Sequence, residues 1–192
     1  SVGQREGNGI RGEIQALAGP VDEERTLELF RRTHGWMKRQ ELPAPPDAVE
    51  PPQDGERSQR LPWPTPTRKT CLAWRTPELA HPDHAALTVL AQVLFGGRSG
   101  RLQRRLVHDG EIATDLQGGP GSFHDPSLFE IWADLREGRT HEEALAAIDA
   151  ELAGLAGAPP APAELETARN QVLLGFRSAL ETAAGRADRR SG

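Results

Sequence analysis

The chain has 192 residues, 36% hydrophobic and 27% charged, with a net charge of −5. That length can bury the core of one domain or slightly more. The acidic balance argues against a general nucleic-acid binder, and no apolar run approaches the roughly 20 residues of a membrane span.

The first residues are polar and glycine-rich and carry no signal-peptide pattern. Both ends read as cut ends, which leaves cytoplasm and periplasm open. Residues 14–18 form a short apolar run that reads as a strand. Asp22 then stands at a helix N-cap, with Glu23 and Glu24 opposing the positive end of the dipole. Leu27, Phe30 and His34 mark one face of this helix, and Gly35 stops it. Residues 42–54 hold Pro43, Pro45, Pro46, Pro51 and Pro52. Proline removes amide donors and favours extended chain, so this is the clearest linker.

Residues 57–63 read as a short edge strand, because Pro62 and Pro64 are poorly tolerated in a central one. Residues 68–75 form a better strand, with Leu72 and Trp74 on one side and Cys71, Ala73 and Arg75 on the other. Cys71 is the one cysteine, which excludes a disulfide within the chain and a cysteine metal site. Inside an apolar strand it reads as a small buried hydrophobe. A helix is expected from His81 to Phe95, with Pro82 in the first turn. It is apolar enough to be packed on much of its circumference.

Gly96 and Gly97 end that helix, and Ser99 is expected to cap a short basic one. Leu102 and Leu106 face inward there, and Arg101, Arg104 and Arg105 largely outward. A strand over residues 112–116 leads into a glycine-rich loop over 118–126. Residues 128–135 alternate most clearly and make the strongest strand. Thr140 and Glu143 have the spacing of a capping box, followed by a helix with Leu145, Ile148, Leu152 and Leu155 as its buried face. Pro159 and Pro160 break it. The last helix carries Leu165, Ala168, Val172, Phe176 and Leu180 on one stripe. The order after the linker, β-β-α-α-β-β-α-α, predicts an α+β fold: two layers, a mostly antiparallel sheet with helices packed on one face.

Chemistry-bearing residues are sparse. Among six histidines, neither His-Glu-x-x-His nor its inverse occurs. His81, Asp83 and His84 are the candidates for a metal contact, and surface groups at a helix start are the plainer reading of them. Residues 96–101 suggest an anion-binding turn, but they follow a helix and lack the lysine and hydroxyl of a P-loop. No Ser/His/Asp arrangement stands out, so no catalytic residue is assigned.

The ordered series is more telling. Ala80-His81-Pro82-Asp83-His84-Ala85-Ala86-Leu87, the helix through Leu94, Gly96-Gly97-Arg98-Ser99-Gly100-Arg101-Leu102, Leu106-Val107 and Ile112-Ala113 together resemble the insulinase/pitrilysin family of zinc metallopeptidases. The likeness is to the C-terminal, non-catalytic half of its mitochondrial-processing-peptidase-like branch, and covers about residues 10–184. Gly19-Pro20-Val21-Asp22-Glu23-Glu24 resembles the segment closing the family's N-terminal half. Glu164-Leu165 opens a long helix as the family does.

The resemblance implies three parts. Residues 1–41 would be the end of an N-terminal half, residues 42–56 the proline-rich linker, and residues 57–192 a truncated C-terminal domain. It implies a non-catalytic, substrate-clamping role beside a zinc-bearing half in the same chain or another subunit. The substrate peptide would add as a strand to a sheet edge. Zinc is expected only in that catalytic half and no cofactor in this chain. The parent or partner would be a zinc metalloendopeptidase. Active members supply an arginine and a tyrosine, seven apart, to the substrate. Those positions fall on Val107 and Thr114, which offer neither charge nor phenol. The alternative is an assembly or interaction subunit of a wholly inactive peptidase homologue.

Overall fold

The computed structural model describes residues 20–37 and 51–182. The strand expected over 14–18 and most of the linker over 42–54 lie outside the described residues. By Cα proximity the chain divides into residues 61–176 and a second unit of residues 1–60 with 177–192.

Helix α1 is Glu23–His34; Asp22 caps it, its carboxylate accepting from the Arg25 amide at 2.9 Å. Helix α2 is Pro82–Phe95, with His81 at the N-cap and Pro82 in the first turn. Helix α3 is His141–Gly157, and α4 is Pro162–Glu181. The capping box of α3 is complete: the Glu143 amide donates to Thr140 Oγ1, and the Thr140 amide donates to Glu143 Oε2. Those bonds hold the Glu143 carboxyl below the usual range, the Thr140 amide contributing most.

Three strands, β1 (Lys69–Thr76), β2 (Ala113–Pro120) and β3 (Ser127–Leu135), form an antiparallel sheet in the order β1-β3-β2. The α+β expectation holds. β3 is central because Phe129, Ile131, Ala133 and Leu135 all face the core and are buried. They meet Leu94 of α2, Ala144, Ala147 and Ile148 of α3, and Leu102 and Leu106 between α2 and β2. Leu94, Leu102, Leu106, Ile131 and Ile148 are the largest fully buried side chains, the kind whose truncation to alanine costs about 2–5 kcal/mol.

Several expectations are corrected. Residues 57–63 form no strand; Pro62 removes an amide donor within the stretch and Pro64 another just beyond it. Cys71 is exposed rather than buried, since it lies on the sheet face opposite the helices. Ser99 does not cap: its hydroxyl donates to the Gly96 carbonyl, and a 3-10 turn (Gly97–Ser99) precedes a π-helical segment, Gln103–Asp109. The Gly110 amide reaches back five residues to Arg105 at 3.0 Å.

β2 runs through Gly118, Gly119 and Pro120, so only residues 121–126 are loop. A Cβ at Gly118 would meet the Glu130 carbonyl at 2.5 Å and the Phe95 ring at 2.6 Å. This glycine lets an aromatic ring lie on the strand, which the sequence pattern presents as a turn signal. Leu145 is exposed and Ala144 and Ala147 are buried in its stead, because the helix meets the sheet through its small residues. Of the stripe expected on α4, Ala168 alone is fully buried. In α2, only His84, Val93 and Leu94 are buried, and Ala85 and Ala86 are exposed.

Candidate functional site

The Leu135 amide donates to the Arg68 carbonyl at 2.8 Å, which fixes the phase of the β1–β3 ladder. Backbone direction alternates along a strand. Thr70, Leu72 and Trp74 therefore direct their amides and carbonyls toward β3, and Lys69, Cys71 and Ala73 direct theirs away. Among the described residues no strand pairs with that outer edge of β1.

The two sheet edges differ. β2 is blunted by a bulge at Thr114, where Ala113 pairs with Leu135 and Asp115 with Asp134. It ends on Gly119, at φ 151°, and Pro120. β1 has eight residues in unbroken register with β3, without proline, glycine or bulge. Among the described residues nothing pairs with the outer edge of β1, and its protective features there are the charged Lys69 and Arg75 rather than a bulge or proline.

A cleft of about 520 Å³ lies over the C-terminal half of β1. Trp74, Thr76, Phe129 and Ile131 line its sheet side; Leu87 and Leu90 of α2 and Leu152 of α3 line its helix side. Its volume lies in the range of ligand pockets, and its lining is mostly apolar with Arg75 and Asp83 also on the wall. Trp74 faces it and is 41% exposed. Thr76 is buried, and its hydroxyl has no hydrogen-bond partner.

The sequence candidates for metal do not converge. His81 Nδ1 accepts from the Asp83 amide at 3.2 Å, as an N-cap. His84 is buried, its Nε2 3.2 Å from the Gly121 carbonyl oxygen, and ties α2 to the β2–β3 loop. Among the described residues no three His, Cys, Asp or Glu side chains form a metal-binding group, so these residues do not fit the family's zinc. Val107 is half-buried against the core. Thr114 is exposed on the bulge, its hydroxyl donating to the Asp134 carbonyl at 3.1 Å.

Sequence reasoning missed two arginine anchors. Arg101 does not point outward: its Nε and Nη2 donate to the two carboxylate oxygens of Glu164, both at 2.7 Å. The guanidinium bonds hold Glu164 below the usual carboxylate range, and Glu164 raises Arg101. Arg139 donates to the Gly110 and Glu111 carbonyls, each at 3.1 Å, and clamps the turn before β2. No spacing rule pairs residues 63 positions apart, so only the fold reveals the first. Cys71 sits on the sheet face away from the helices, opposite Trp132. Burial first, then the Glu130 carboxylate, pushes its thiol up.

The profile described as the peptidase M16 inactive domain matches residues 16–172. A curated relative, the zinc protease PqqE of Helicobacter pylori, is 27% identical over 125 residues, 60% of this chain and 27% of that protein. A crystallised protease from Helicobacter pylori superposes with a TM-score of 0.76 at 25% identity, over 88% of this chain and 41% of its own. An inactive peptidase domain from Bordetella parapertussis gives a TM-score of 0.55 at 25% identity, over 61% of this chain and 62% of its own. The chain thus spans about a quarter of the curated relative and under half of the Helicobacter pylori structure. These relatives are bacterial. Among the described residues no helix is long and apolar enough to cross a membrane. With the profile covering most of its length and its helix-backed antiparallel sheet superposing on the relatives' structures, this chain belongs to the peptidase M16 inactive-domain family.

Proposed function

We propose that this chain is a clamping domain that holds an extended peptide while a zinc-bearing half, in the same chain or another subunit, hydrolyses it. The observation that carries this reading is the edge of β1: donors and acceptors at Lys69, Cys71 and Ala73 with no partner strand among the described residues, beside an apolar cleft. Main-chain hydrogen bonds would give affinity independent of sequence, and the cleft would add side-chain contact. The sheet face on which no helix packs among the described residues of 61–176, with Cys71, Leu128 and Trp132 exposed, supports packing against the other half.

Mixing the chain with a zinc-bearing half and an unfolded peptide tests the reading. Cleavage is expected to change on addition of the chain and not on addition of the Ala73→Pro variant, which removes one outward amide. Neither association nor altered cleavage would refute it. The second reading, an assembly subunit of an inactive homologue, is favoured by Val107 and Thr114, which lack the charge and phenol that assist catalysis. Association without any cleavage, even by the intact parent, would select it.

A further inference from the structure

We draw no further inference here: the strongest candidate, the cleft between β1 and the helices α2 and α3, belongs to the site already described, and its walls, apolar with Arg75 and Asp83 among them, do not single out one occupant.

Discussion

Glu111 holds a φ of 47°, the one positive φ among the described non-glycine residues. The left-handed region costs a side-chain-bearing residue about 1–2 kcal/mol. The turn stays because its carbonyl accepts from Arg139 Nε and the neighbouring Gly110 carbonyl from Arg139 Nη2. Glu111→Gly keeps both acceptors and removes the strain. It loses only a 3.8 Å contact with Arg136 across exposed side chains, which carries little energy. After the added chain entropy of glycine, the variant is expected to gain about 0.5–1 kcal/mol, read as a higher urea midpoint. A lower midpoint would mean that the Arg136 contact outweighs the strain.

The Arg101–Glu164 fork is a second residue-scale device. Two charge-assisted bonds at 2.7 Å on half-buried groups are worth about 1–2 kcal/mol. Glu164 titrates below its ordinary range, chiefly through the Arg101 bonds. Its contribution is therefore fully present above the ordinary carboxylate pKa. It is lost as pH falls through that range to the depressed value. Urea midpoints followed from neutral to acid pH should fall less steeply in Glu164→Gln than in the native chain. Parallel acid limbs would show that the pair is energetically silent.

At the scale of elements, ends and alternation were readable. The capping box at Thr140 and Glu143, the Asp22 cap and the alternation of β3 are local signals, each set by residues within a few positions. The span of β2 was not, because it depends on Phe95 from another element. Its ring occupies the space above Gly118, so glycine is required inside a strand where the sequence pattern suggests a loop. Gly118→Ala places a Cβ against the Glu130 carbonyl and that ring, and an overpacked contact of this kind costs about 1–3 kcal/mol. Thermal unfolding should register the loss; an unchanged midpoint would show that the Phe95 ring moves aside at no cost.

At the scale of the domain, the helices α2 and α3 pack on one sheet face, and among the described residues of 61–176 no helix packs on the other. Cys71 reports on that other face. It is expected to react with a thiol reagent in the native state, several-fold more slowly than a free thiol at mildly alkaline pH. Burial and the Glu130 carboxylate both disfavour its thiolate. Protection of Cys71 on adding a zinc-bearing half would place the contact on this face. Unchanged labelling in a complex shown to form would put it elsewhere.

By itself the sequence determined the element types, most of their ends, the α+β class and, through the ordered series from Ala80 to Ala113, the family. These follow from periodicity, capping and glycine placement, which act over a few neighbouring residues. The tertiary structure alone decided that Cys71 is exposed, that Arg101 turns inward to Glu164, that His81 and His84 part company, and that among the described residues no strand pairs with the outer edge of β1, which lies beside a cleft. Each depends on which distant element lies across from a residue, and alternation along one strand cannot say which of its faces is covered.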